Sequence, residues 1–247
     1  MSAAEMRTAL ITGGARGIGR AVANDLARRG WNIALCYRTS AADAAEVADQ
    51  AKTAGVKAIA LQCDVSDAQA AASMVSRVER EWGRIDALIN GAGPYHRVDL
   101  LKESIEGWQA MFDNNLHPIF YLGRAVLPGM MARKWGRIVS FSMANADQMI
   151  AQPNLTAHYI AKMGVLVLTR TLARVASPHG VTVNAISPGF IDTGSAPQEE
   201  LATMAKRIPA GYVGSVEDAV ATVRFLLSDE ARYVNGTNIH LSGAWGI

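Results

Sequence analysis

The chain is poor in cysteine and in phenylalanine, and it has no long apolar run; each shortage narrows what it can be. Two cysteines, Cys36 and Cys63, cannot staple 247 residues, so stability must come from a buried core, and reduced thiols suit a cytoplasmic setting. Residues 1–7 are too short and too polar for a signal peptide. The apolar stretch 164–168 is soon broken by Arg170 and Arg174, well short of the roughly 18 residues that span a bilayer, so no membrane partner is expected. Charge is also scarce on balance. The 24 basic and 22 acidic residues leave +2, with no basic run that would suit nucleic acid or anionic lipid. The histidines, His96, His117, His158, His179 and His240, are scattered without metal-ligand spacing, so no metal is expected. A Gly-x-Ser-x-Gly elbow is missing, which removes the nucleophile of a serine hydrolase. A small-molecule ligand is what remains.

Half of the residues are apolar, enough to bury one large core in a single domain. Short Val-, Ile- and Leu-rich runs at 8–12, 32–37, 57–62, 87–90, 137–141, 182–187 and 238–241 alternate with segments of helical period at 18–29, 41–54, 67–82, 105–132, 156–177 and 216–228. That alternation predicts an α/β, doubly wound Rossmann-type fold: a seven-stranded, mostly parallel sheet with helices on both faces. Gly30, Gly55, Gly83, Gly136 and Gly180 follow the helices as C-terminal caps should. Residues 195–208 form a helical piece with no place in the sheet, positioned as a lid over a crevice.

The run Thr12-Gly13-Gly14-Ala15-Arg16-Gly17-Ile18-Gly19 leaves the first strand and opens a helix. Glycines there permit a tight turn and close backbone approach, so the helix N-terminus can face a pyrophosphate. A lone glycine loop is weak evidence; strand, loop and helix in this order make a phosphate site the expectation.

Further motifs follow in sequence. They are Asp64-Val65, Asn90-Gly91-Ala92-Gly93, Asn115 within Asp113-Asn114-Asn115-Leu116, Ala161-Lys162-Met163-Gly164, and Ser187-Pro188-Gly189-Phe190-Ile191-Asp192-Thr193. With the glycine loop, they make the chain resemble the short-chain dehydrogenase/reductase family from end to end, particularly its 3-oxoacyl-acyl-carrier-protein-reductase-like branch. The resemblance implies that Gly13, Arg16, Gly17, Ile18 and Gly19 hold the cofactor's phosphates and that Asp64 and Val65 contact adenine. It makes Asn90, Gly91 and Ala92 cofactor contacts, places Lys162 at the nicotinamide ribose, and sets Pro188, Gly189, Ile191 and Thr193 at the nicotinamide. Counting seven residues from Gly30 reaches Tyr37, where NAD-preferring relatives carry an acid. With no carboxylate there, Arg16 and Arg38, helped by Thr39 and Ser40, could engage a 2′-phosphate, so NADP(H) is the expected cofactor. The plainer alternative makes both arginines solvated surface charges.

In this family a tyrosine donates a proton, a lysine four residues later lowers its pKa, a serine orients the carbonyl and an asparagine completes a proton path. Lys162 and Asn115 match; the tyrosine position holds His158. Tyr159 is one residue on, about 100° around a helix, so the two side chains cannot enter one pocket; Tyr159 more readily packs against the sheet or another subunit. The serine position is ambiguous. Counting forward from Gly136-Arg137-Ile138-Val139 gives Met143, beside Ser142, and counting back thirteen from His158 gives Asn145, a mismatch that implies an insertion between 144 and 156. Histidine, with an ordinary pKa of about 6.5, can serve as a general acid, and Lys162 would push that value down. The candidate catalytic set is therefore His158, Lys162 and Asn115, with Tyr159 and Ser142 in reserve. Tyr95, Met143, Asn145 and Met149 are expected to line the substrate pocket, with Met204 on the lid as a further apolar wall.

The expected activity is NADPH-dependent hydride transfer to a C=O or C=N bond of a small, mostly apolar substrate. The missing tyrosine and serine favour one that needs little acid help, such as a protonated imine, a conjugated carbonyl or a pterin. Two alternatives remain: a cofactor-binding sensor or scaffold without turnover, and an isomerase or dehydratase using His158 as base. The resemblance also implies a homodimer or homotetramer, through the helical segment 105–132 and the C-terminal residues 241–247.

Overall fold

The computed structural model describes residues 6–194 and 196–246. Residues 1–5, Ser195 at the start of the expected lid and Ile247 at the end of the expected C-terminal interface lie outside the described residues. The strands are β1 (Thr8–Thr12), β2 (Asn32–Tyr37), β3 (Ala58–Gln62), β4 (Ala87–Asn90), β5 (Gly136–Phe141), β6 (Val181–Pro188), the short β7 (Ile191–Asp192) and β8 (Gly214–Ser215), and β9 (Asn238–Leu241). The helices are α1 (Gly17–Arg28), α2 (Ala41–Thr53), α3 (Ala68–Trp82), α4 (Ile105–Asn115), α5 (His117–Ala132), α6 (Thr156–Ala176), α7 (Gln198–Ala205) and α8 (Val216–Leu227).

Seven strands form one sheet in the order β3-β2-β1-β4-β5-β6-β9. Every pairing in it is parallel, so the "mostly parallel" expectation tightens to wholly parallel. Alternate strand residues face opposite layers. Ala9, Ile11, Ile33, Leu35 and Ile89 pack with α1, α2 and α8, whereas Leu10, Ala34, Cys36, Leu88 and Ile138 pack with α3 and α5. Because both faces are covered, the strands read as unbroken apolar runs. Asp67 starts α3, its carboxylate accepting from the N–H groups of Gln69 (2.7 Å) and Ala70 (3.0 Å). Such a cap is worth about 1 kcal/mol.

Two sequence expectations need correction. The single helix expected over 105–132 is two, because Pro118 lacks the N–H a continuous helix requires; Leu116 joins them at φ −111° and ψ −54°, and Pro118 sits in the first turn of α5, where no donor is needed. Gly136 is not a helix cap. Lys134 takes the left-handed position (φ 56°), and Gly136 already starts β5, where a Cβ would come within 2.6 Å of the Met130 sulfur.

Candidate active site

The strand order reverses between β1 and β4, and a crevice of about 510 Å³ opens at the carboxyl ends of the strands there. The turn after β1 contributes Gly13 and Arg16, and the end of β2 contributes Arg38, Thr39 and Ser40. Asp64 and Val65 come from the chain after β3, and Gly91 and Ala92 from the chain after β4. Gly13 is required by space and by backbone shape: its φ is 65°, and a Cβ would lie 3.0 Å from the backbone of Gly91 and Ala92. The Thr12 hydroxyl ties the two loops by accepting from the N–H groups of Gly91 (3.1 Å) and Ala92 (3.2 Å).

The other cofactor candidates lie around this crevice rather than on its walls. Gly17 and Thr193 line a neighbouring pocket between α1 and α8. Ile18 packs into the core beneath α1, and Gly19 presses its backbone against the Gly13 carbonyl. Asn90 is buried, its amide donating to the Ser140 hydroxyl at 3.0 Å. Pro188 and Gly189 close β6, where their backbone pairs with Ala144 and Leu241, and Ile191 opens β7.

Electrostatics at the mouth of the crevice are organised by Arg38. Its guanidinium donates to Asn114 Oδ1 at 3.2 Å and stands 4.0 Å from Asp64, leaving more than half of the side chain exposed. The Ser66 hydroxyl and backbone N–H, then the Arg38 charge, hold the Asp64 carboxyl below the usual range. Arg16 forms an ion pair with Asp43 at 2.6 Å. At position 37 a tyrosine stands where a carboxylate would oppose a phosphate.

Beside the crevice, α6 carries the chemical candidates. His158 and Lys162 share one face at a spacing of one turn, 5% and 7% exposed. Burial, then the Lys162 ammonium, lowers the His158 pKa to about 4; a hydrogen bond to the Pro94 carbonyl opposes the shift and His96 adds to it. The ring's Nδ1 has no partner. Burial alone lowers Lys162 to about 8, and its ammonium donates to the Phe141 carbonyl at 2.9 Å. The Asn115 amide donates to the Met111 (3.0 Å) and Pro94 (3.2 Å) carbonyls, and its Oδ1 lies unpartnered near Gly93.

Both reserve hydroxyls are turned away. Ser142 donates to the Lys162 carbonyl at 2.8 Å, and Tyr159 donates to the Asn145 carbonyl at 2.6 Å. Tyr159 is buried, as the helix rotation requires, but it anchors the loop over residues 144–155 rather than another subunit. Of the pocket candidates, Tyr95 meets the His158 ring edge-on with centroids 5.3 Å apart. Met143 is half-buried against Ala146, Leu166 and Ala185. Asn145 contributes a backbone carbonyl at φ 69°, and Met149 is 84% exposed, so its side chain faces solvent instead of forming a wall.

A family profile described as Enoyl-(Acyl carrier protein) reductase matches residues 13–244. The 3-oxoacyl-acyl-carrier-protein reductase FabG of Staphylococcus aureus is 35% identical over 240 residues, covering 96% of this chain and 97% of the relative. The Escherichia coli protein of the same description is 33% identical over 248 residues, covering 97% of each. A crystal structure described as a gluconate dehydrogenase from Agrobacterium tumefaciens superposes with a TM-score of 0.89 at 30% identity, over 97% of this chain and 95% of that one. The chain belongs to the short-chain dehydrogenase/reductase family. It is an oxidoreductase of that family.

Sequence reasoning missed several residues of the site. Cys36 and Cys63 line the crevice, the Cys36 thiol donating to the Cys63 carbonyl at 3.6 Å. Asn114 orients Arg38, and Pro94 offers its carbonyl to Asn115 and His158. Each stands one residue from a position singled out in the sequence, so adjacency to Tyr37, Asp64, Asn115 and Gly93 was the signal. Among the described residues no cluster of three or more His, Cys, Asp or Glu is placed to hold a metal, and no helix is long and apolar enough to cross a membrane.

Proposed function

We propose that this oxidoreductase uses NADPH to reduce a C=O or C=N bond in a small, mostly apolar substrate, with His158 in the place of the family's tyrosine. The carrying observation is that Pro94, on the wall of the β1–β4 crevice, leads into Tyr95, whose ring meets that of the buried His158 one helical turn before the buried Lys162. The residues present fit a dinucleotide. Gly13 keeps open a cradle that a Cβ would fill, and Arg38 stands at the mouth with no carboxylate at position 37. Gly13, Gly17, Ile18 and Gly19 would hold the pyrophosphate, while Asp64 and Val65 would meet the adenine. Arg38, with Arg16, Thr39 and Ser40, would take the 2′-phosphate. Asn90, Gly91, Ala92 and Lys162 would meet the ribose, and Pro188, Gly189, Ile191 and Thr193 the nicotinamide, which supplies hydride when bound.

The chain's own residues then position the substrate. Tyr95 and Met143 would give it an apolar wall, and Asn115 with Pro94 fixes the loop facing His158. Helix α7, with Met204, would close over the crevice as a lid. The exposed Ile105, Phe120 and Val167 on α4, α5 and α6 suit burial in a homodimer or homotetramer. The test is NADPH consumption against ketones, imines, quinones and pterins by the wild type, His158→Ala and Tyr159→Phe. Loss of turnover in His158→Ala alone is the expected result. NADPH binding with no turnover across the panel would contradict it and support a sensor or scaffold instead.

A further inference from the structure

Two arginines line the crevice, and they are held by different kinds of partner. Arg16 gives its guanidinium to the Asp43 carboxylate at 2.6 Å, so its charge is already matched. Arg38 rests on an uncharged oxygen instead: its Nη1 donates to Asn114 Oδ1 at 3.2 Å, joining the end of β2 to the end of α4. The Asp64 carboxylate stands off from Arg38 at 4.0 Å. Its other oxygen is occupied by the Ser66 hydroxyl (2.7 Å) and backbone N–H (3.0 Å).

The Asn114 amide is fixed in the sense that this bond needs. Its Nδ2 donates to the Ala110 carbonyl one turn back at 2.8 Å, and a carbonyl only accepts, so the amide presents its oxygen to Arg38. A guanidinium only donates, so the reverse orientation of the amide would satisfy neither partner. Asn115 is tied back to the Met111 carbonyl in the same way, at 3.0 Å, which stiffens the last turn of α4. The Arg38 carbonyl accepts from Gln62 at 3.2 Å, so backbone and head group are both restrained. Arg38, Asp64 and Asn114 all line the crevice, and 60% of the Arg38 side chain remains exposed. A guanidinium carries five N–H donors, so the bond to Asn114 leaves others for a ligand.

Resting on the NADPH reading above, we infer that Asn114 is a positioning residue for the cofactor's 2′-phosphate: its amide oxygen holds the Arg38 guanidinium at the crevice without neutralising it, and this sets the preference for NADPH over NADH. An uncharged anchor restrains a long side chain before the ligand arrives, which removes part of the ordering cost of binding. It also leaves the positive charge for a phosphate, whereas a carboxylate anchor at the same place would cancel it. Arg16 must give up Asp43 before it can engage a phosphate, so Arg38 carries most of the discrimination.

Fluorescence titration of NADPH and NADH against the full chain tests the inference, with the ratio of the two affinities as the readout. A residue that only supported α4 would weaken both cofactors alike and leave the ratio unmoved. Asn114→Leu should lower the NADPH preference by about 3- to 10-fold, the scale of one hydrogen bond and one ordered side chain. Asn114→Asp keeps the accepting oxygen but adds a charge, and it should lower the preference at least as far. In an Arg38→Ala background Asn114→Leu should move the ratio no further, because the group it positions is gone. An unmoved ratio in either Asn114 variant, or the same fall with the Arg38 side chain absent, would overturn the inference; if Arg38→Ala still lowers the ratio, the NADPH reading stands. A wild type that binds both cofactors equally, with no change in Arg38→Ala, would overturn both.

Discussion

The β1–β4 side of the active-site edge and the β5–α6 side are built from different materials, backbone on the first and buried side chains on the second. The first keeps its glycine turn, its Thr12 ties to the facing loop and an exposed arginine at the mouth of the crevice. The second holds the buried His158 and Lys162, and the hydroxyls of Ser142 and Tyr159 beside them are bonded to backbone carbonyls. Backbone approach, which only a few glycines allow, constrains the first side. The second side depends on side-chain protonation, which single substitutions and a short insertion can reset without disturbing the sheet. Binding and chemistry are therefore separable in this chain, and mutations should separate them.

The largest expected effect comes from His158→Ala. Turnover should fall by about 10²- to 10⁴-fold with NADPH affinity unchanged, as measured by steady-state kinetics beside fluorescence binding. A parallel loss of affinity would break the division between the two sides. Next, Arg38→Glu should weaken NADPH by about 10- to 100-fold and improve NADH relative to it, since a charge-assisted contact to phosphate is replaced by repulsion. Equal affinity for both cofactors in the wild type would undo that assignment. A smaller effect is expected from Lys162. Burial lowers its pKa to about 8, so the ammonium is present below that value and lost above it. NADPH affinity should therefore fall as pH rises through about 8, and Lys162→Met should flatten the profile. The smallest effect belongs to Tyr159→Phe, which removes one bond to the Asn145 carbonyl. Stability should drop by about 1 kcal/mol in denaturant unfolding, with turnover within a few-fold of wild type.

The sheet could be read from sequence because both of its faces are buried, which leaves unbroken apolar runs such as Ala9-Leu10-Ile11. The break between α4 and α5 was also written there, in Pro118, but the apolar period continues across it and hides the joint. On the chemical side, the sequence offered His158 four residues before Lys162 and two residue counts that disagree at 143 and 145. In the loop 144–155, Asn145 and Met149 take left-handed backbone conformations without being glycine. Where the hydroxyls point was not legible. The Ser142 bond to the Lys162 carbonyl and the Tyr159 bond to the Asn145 carbonyl join residues 20 and 14 apart, and no local pattern records them.

Protonation of His158 is the point on which the chemical side rests, and a nitrogen-15 NMR titration of its ring measures that directly. With the Lys162 ammonium and His96 facing it and burial disfavouring charge, the ring should stay neutral, showing one protonated and one bare nitrogen, until the pH falls to about 4. Because the folded-state value lies below that of the unfolded chain, stability should decline as pH falls from about 6.5 toward 4, by an amount on the order of 3 kcal/mol that His158→Phe removes. A ring that gains its second proton near 6.5, with both nitrogens then alike, would contradict the account: neither burial nor Lys162 would then set the charge of the chemical side.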